Sequence, residues 1–276
     1  MTEAGFGSDM GAEKFMHIKA ATSGKSPDCV VMNVTIRSMK LHGGAFGSRG
    51  GYRPSKEELE AENIEAVATG AATNLDRHIR NMAGFGVPVI VSINKFASDT
   101  DGEIKALSDA AHASGAKAVT ITEVHSKGGE GGEDLAKAVV KAVQDHVAAG
   151  RPFTPLFVND APVMEKVEAI ATRMYKAKEV VVEAAAKKQL DKLNSWGYGN
   201  LPVCMAKTQY SFSHDAGKLG APSDFTLPIR EFRLNSGAGF IVAILGNMMT
   251  MPGLPKRPAA IDMDMDDDGN QTGIFG

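Results

Sequence analysis

PVIVSINKFASDT, Pro88–Thr100, is the stretch that decides how this chain is built. Its first six residues are almost continuously apolar and rich in β-branched side chains, which suits a strand buried on both faces. At Asn94-Lys95 the pattern turns polar. Cys29–Ile36 (CVVMNVTI) repeats it upstream and Ala118–Thr122 (AVTIT) downstream. Between these runs, apolar residues at helical spacing predict a long helix over 56–82, with Gly70 as a tolerated weak point, and a second over 103–114. A glycine-rich turn, Lys127–Gly132, leads into a third that ends near His146. Strands alternating with helices predict an α/β fold with a parallel sheet. The Gly-rich run His42–Ser55 (HGGAFGSRGGYRPS) reads as a surface loop. Past Arg151-Pro152 the texture changes: Asn159-Asp160 is expected to cap a helix through Met174, Val180–Val182 to form a short strand, and another helix to end near Trp196. Strand and loop then run through the rest, a separate α+β unit.

The chain has 276 residues, 43% of them hydrophobic, and a formal net charge of −3. Charges of both signs are interspersed, without the basic, aromatic-interleaved stripe of a nucleic-acid groove, so no nucleic-acid partner is expected. No apolar run approaches the roughly 18 residues that span a bilayer, and no cationic leader precedes an apolar segment. No membrane partner and a cytoplasmic location are the expectation. Cys29 and Cys204 each sit in an apolar run, which predicts buried free thiols.

Ligands of open parallel sheets collect at the carboxyl ends of the strands. Arg37, Lys40 and His42, next to a glycine loop, suit an anion there, against the plainer reading of a solvated loop. Asn94-Lys95 resembles the start of the Asn-Lys-x-Asp base-reading signature, but the position that needs Asp holds Ala97, and Asp99 comes two residues late. Gly24-Lys25-Ser26 matches the end of a phosphate loop, yet Lys19 stands where the first glycine belongs. Asp264, Asp266, Asp268 and Gly269 match the start of a calcium loop, but its bidentate Glu position holds Phe275. An acidic, solvated turn is the better expectation. The seven histidines lack metal-ligand spacing, so no metal site is expected; His42 and His125 follow strand ends, and the others read as ordinary surface or helix residues.

Five longer strings say more: TEAGFGSDMGAEKF (Thr2–Phe15), RSMKLHGG (Arg37–Gly44), PVIVSINKF followed by Asp99-Thr100, GNLPVCMAKTQYSFS (Gly199–Ser213) and GAGFIVAILGNMMTMPGLPKRPAA (Gly237–Ala260). In this order they resemble the C-terminal half of formate–tetrahydrofolate ligase, and the likeness runs from Thr2 to Phe275. The resemblance implies synthesis of 10-formyltetrahydrofolate from formate, ATP and tetrahydrofolate through formyl phosphate, with ATP bound as its Mg complex. In that family the phosphate loop lies upstream of the TEAGFG string. The resemblance therefore implies a remnant of a parallel-sheet, P-loop NTPase-like domain (1–97), a small α/β domain (98–155) and a C-terminal α+β domain (156–276).

It also implies site residues. Phe96 matches an aromatic that lines the pterin or adenine pocket. Its usual tryptophan partner, in a W-A-x-G-G string, is replaced by His125-Ser126-Lys127-Gly128-Gly129, which offers less stacking surface. Glu3, Phe6, Asp9, Arg37, Lys40, His42 and Gly43 fall in segments that face the active-site cleft, where substrate positioning rather than proton transfer is expected. Asn94, Asp99 and Gly128 complete the candidate set, and Lys207 is a weaker candidate, set against the reading that its AKTQ string serves packing between domains or subunits. Three readings remain open: a ligase portion active when a separate N-terminal polypeptide completes it, a non-catalytic folate- or partner-binding module, and an inactive fragment. A homotetramer is the oligomer implied.

Overall fold

The computed structural model describes residues 1–47, 54–246, 256–269 and 271–273. Part of the Gly-rich run (48–53) and much of the MMTMPGLPKRP segment (247–255) lie outside these. The chain divides into two compact units, Met1–Gly246 and Asn247–Gly276.

The first unit opens with helix α1 (residues 8–23), which contains two π-helical stretches, Ser8–Ala12 and Phe15–Ala20. Strand β1 (Val30–Val34) follows, shorter at both ends than the apolar run suggests, because Thr35 leaves the sheet to cap α2 (Ile36–His42), its side chain accepting from the Ser38 N–H. Arg37, Lys40 and His42 therefore ride on a helix, not a loop.

The long helix expected over 56–82 is broken. Helix α3 (Lys56–Glu60) has a Ser55/Glu58 capping box, Ala61 is extended, and Asn63 caps a new helix, α4 (64–83), by accepting the Ala66 N–H. Two separate caps account for the break, since each satisfies orphan donors that a continuous helix would not have. Gly70 is no weak point either: a Cβ there would lie 2.1 Å from the Met39 carbonyl oxygen, and one on Gly43 would lie 1.8 Å from that of Ala66. These two glycines let α2 and α4 touch backbone to backbone.

Strand β2 (Val89–Asn94) is buried along its apolar length, followed by α5 (Asp101–Ala113, with a Thr100/Glu103 capping box) and β3 (Ala118–Thr122). Strands β1, β2 and β3 form one parallel sheet in that order, with Met32 beside Val91 and Asn94 beside Thr122. A short helix α6 (Val124–Lys127), a 3-10 turn over Gly128–Gly132 and α7 (Glu133–Ala148) complete the α/β pattern.

Helix α8 (163–174) starts after Pro162 and is not capped by Asn159-Asp160; the Asn159 carbonyl instead accepts from the buried Lys166 ammonium. Strand β4 (Glu179–Val182), helix α9 (Ala184–Ser195), β5 (Val203–Ala206), β6 (Thr226–Ile229), β7 (Glu231–Asn235) and β8 (Phe240–Ile244) follow. Here β4 pairs in parallel with β6, and β8 lies between parallel β5 and antiparallel β7. A single apolar cluster joins this region to the first sheet, running from Met16 and Ile93 to Leu227 and Ile241. Cys29 and Cys204 are free and half-buried, and burial together with Asp28 pushes the Cys29 thiol up to about 11.

In the second unit, β9 (Asp264–Met265) pairs antiparallel with β10 (Gln271–Thr272). Asp264, Asp266 and Asp268 are exposed along that hairpin, an acidic solvated turn as expected.

Candidate functional site

A cleft of about 640 Å³ runs between the N-terminal segment Thr2–Asp9, the length of β1, α2, and residues 209–212. Glycine chemistry builds its mouth. A Cβ at Gly11 would lie 2.2 Å from the Gly5 carbonyl oxygen, so the N-terminal segment folds back on α1 only because residue 11 has no side chain. Phe6 adopts φ +58, a conformation costing roughly 1–3 kcal/mol for a non-glycine residue, and its ring stands 78% exposed at the cleft. The other wall is strand β1. It pairs with β2 on one side, and among the described residues no strand pairs with its other edge, where Val31 is 43% exposed.

Polar groups gather at the floor and behind it. Asp9 and Lys207 form a buried ion pair, and the Lys207 ammonium also donates to the carbonyls of Ser211 and Thr208, with the Tyr175 ring 5.2 Å away. The Tyr175 hydroxyl donates to the Asp9 carbonyl at 3.3 Å. Burial pulls Lys207 below the usual lysine range, although Asp9 opposes this. Ser8 Oγ lies 2.6 Å from His78 Nδ1, and His42 Nδ1 accepts the Gly220 N–H at 3.1 Å. Burial lowers both imidazoles, with His78 down to about 4, despite the attraction of Asp9. His42, His78, Ser8 and Asn74 line the cleft, with Asn74 Nδ2 donating to the Gly220 carbonyl at 2.7 Å, while the charges of Asp9 and Lys207 cancel within the wall.

A second group forms at the end of β2. The Arg37 guanidinium stacks 4.2 Å from the Phe96 ring centroid, and the Phe96 N–H donates to Asp99 Oδ2 at 2.8 Å. Burial raises the Asp99 carboxyl even against that donation. Lys40 does not join Arg37 and His42 in an anion site. Its ammonium is buried on Glu103 Oε1 at 2.8 Å and on the carbonyls of Leu59 and Ala61 at 3.2 and 2.8 Å, which uses all three donors. Burial works against ionised Glu103, yet Lys40 and the Asn63 and Thr100 N–H groups hold its carboxyl below the ordinary range.

The candidate residues therefore separate. Glu3, Phe6, Asp9 and His42 line the cleft. Arg37, Phe96 and Asp99 cluster at the strand end, Asn94 closes β2 beside Thr122, and Gly43 serves helix packing. His125 and Gly128 follow β3, with His125 exposed and Gly128 at φ +58. Sequence reasoning missed His78, taken for an ordinary helix residue. The available signal was its place one turn beyond Asn74 on α4, since residues four apart share a helix face.

Gly24 sits at φ +67, with its N–H on the Ala20 carbonyl at 2.9 Å. It terminates α1, so Gly24-Lys25-Ser26 follows a helix where a phosphate loop would follow a strand. Among the described residues no group of three or more His, Cys, Asp or Glu is placed to hold a metal ion, and no helix is long and apolar enough to cross a membrane.

Fold and cleft together define an α/β protein with a parallel sheet and a cleft along its β1 strand. The formate–tetrahydrofolate ligase family model matches residues 1–275, and the chain belongs to that family. Ligase chemistry in tetrahydrofolate one-carbon metabolism, with formate and tetrahydrofolate as substrates, is what membership implies.

Proposed function

We propose that this chain supplies the substrate-positioning portion of an ATP-dependent formate–tetrahydrofolate ligase and works together with a polypeptide region that carries a phosphate loop. The family match over residues 1–275 carries the reading. The one Gly-Lys-Ser string is a helix stop and does not supply the phosphate loop that would hold ATP. Formyl phosphate formation rests on charge neutralisation by lysine, backbone donors and Mg, so no step of it is assigned to this chain's residues.

The chain's own contribution is the two binding surfaces. The cleft holds a polar ligand through His42, His78, Ser8 and Asn74, with Phe6 at its mouth and Glu3 and Asp9 on its wall. Phe96, backed by Arg37, presents an aromatic face for a planar ring, with Asn94, Asp99, His125 and Gly128 around the neighbouring strand ends. The active enzyme is a cytoplasmic homo-oligomer, a tetramer by family likeness, and within Met1–Gly246 the regions 1–97 and 98–155 and the start of 156–276 correspond to the family's successive domains.

The test is 10-formyltetrahydrofolate synthesis by the purified chain, alone and mixed with the N-terminal half of a related ligase. ATP- and formate-dependent product only in the mixture is the expected result. Turnover by the lone chain would overturn the need for a separate phosphate loop. Retained tetrahydrofolate binding with no turnover in either case would favour the binding module, and a folded chain that neither binds nor turns over would favour an inactive fragment.

A further inference from the structure

We propose a second ligand site, for a small multiply charged oxyanion, at the amino-end side of β2. A cavity of about 620 Å³ lies between α4, the segment Thr154–Leu156, and the end of α8. Phe85 in its wall precedes β2, whereas Phe96 follows it. Six strand residues at about 3.3 Å each separate the two ends by roughly 20 Å, so this cavity is distinct from the strand-end cluster. Nor does it share residues with the cleft along β1.

Its charge is one-sided. Arg77, Arg80, Arg173 and Lys176 line it against a single acid, Asp76, although the chain as a whole carries −3. Asp76 is taken by Arg80, whose Nε donates to both carboxylate oxygens at 2.8 and 2.9 Å. The other two guanidiniums are held by neutral partners. Arg77 donates to the Pro222 carbonyl and stacks 5.1 Å from Phe212, and Arg173 donates to the Leu156 carbonyl at 3.1 Å. Among the described residues no carboxylate lies within ion-pair distance of Arg77, Arg173 or Lys176.

Carbonyl anchoring fixes a guanidinium without neutralising it. Each anchored arginine uses one terminal nitrogen on the backbone and keeps its remaining N–H groups, whose planar fork matches two oxygens of a phosphate or carboxylate. Anchoring also means that less side-chain freedom is lost when an anion arrives. Lys176 adds a point charge from a backbone held at φ +63. Phe85, Leu156 and Met174 give the cavity an apolar floor. Phosphate groups and carboxylates share this chemistry, and two probes separate them: pyrophosphate and tricarballylate.

Each is titrated calorimetrically into the full chain at constant ionic strength, beside the variant R173Q/K176Q and the charge-preserving swap R173K/K176R. Both side chains are exposed, and circular dichroism confirms that the variants fold. At least one probe binds, R173Q/K176Q weakens it tenfold or more, and R173K/K176R, which keeps both charges but loses the Arg173 fork, falls between the parent and R173Q/K176Q. A stronger response to pyrophosphate assigns a phosphorylated ligand, and a stronger response to tricarballylate a polycarboxylate. No binding by either probe, or equal affinity in the parent and R173Q/K176Q, overturns the site.

Discussion

Replacing Lys207 with methionine removes the buried ammonium that pairs with Asp9 behind the cleft wall while keeping most of the side-chain volume. Lys207 has no exposed surface and the Asp9 side chain is 5% exposed. The substitution strands a carboxylate that has no other side-chain donor among the described residues, and leaves the Ser211 and Thr208 carbonyls short of a donor. Breaking a buried pair from one side costs about 3–5 kcal/mol, because the remaining charge keeps its desolvation penalty. Against a total stability of roughly 5–15 kcal/mol, that is a large share. A second variant, D9N/K207M, removes the stranded charge and keeps the shape. It is expected to recover at least about 2 kcal/mol, so the two substitutions are strongly non-additive. Urea unfolding at pH 7 with linear extrapolation measures both. A K207M loss below about 1 kcal/mol, or a double variant no more stable than K207M, would refute the reasoning.

Acid sensitivity follows from His78. Its folded value of about 4 lies below the ordinary 6.5, so the unfolded chain takes up the proton first; the contribution is complete above 6.5 and is lost as pH falls toward 4. At pH 5 the loss is at most about 2 kcal/mol, trimmed by hydration through the edge that faces the cleft, and H78Q should flatten this slope in urea midpoints taken between pH 7 and 5. G70A forces a methyl group against the Met39 carbonyl and should cost about 1–3 kcal/mol; an unchanged melting temperature would show that α2 and α4 can separate freely. F96A removes the ring that Arg37 backs. In the complemented enzyme it should raise KM for tetrahydrofolate about fivefold or more, the equivalent of roughly 1 kcal/mol of stacking, and an unchanged KM would place the pterin elsewhere.

The alternation of buried strands and amphipathic helices was legible from 29 to 148 because parallel strands carry an unbroken apolar signal and the intervening helices a 3.6-residue period. The break at Ala61 was not, since Ser55 and Asn63 are ordinary polar residues until their side chains are seen to accept from Glu58 and Ala66. Lys40 shows the same limit. A lysine after a strand reads as an anion ligand, and only the fold brings Glu103, 63 residues later, to within 2.8 Å of it. Glycines mislead in the opposite direction: Gly43 and Gly70 look like loop or weak helix positions, and their purpose appears only against another helix's backbone. What sequence pattern misses in each case is a partner distant in the chain.

That limit also explains why the long strings were more informative about the cleft than any single motif. TEAGFGSD provides Ser8, Asp9 and the glycines that fold the N-terminal segment onto α1; RSMKLHGG provides His42 and the Gly43 contact; the AKTQYSFS run provides Lys207 and Ser211. None of these is a catalytic signature by its local spacing. Asp9 and Lys207 lie 198 positions apart, and each satisfies a buried charge that the other could not keep alone. A site assembled this way constrains several separate segments at once, because a change in any one leaves an orphaned group in another. Three of the strings that carry the family likeness therefore meet at one cleft, whereas the strings Pro88–Phe96 and Gly237–Ala260 contribute no described residue to its lining.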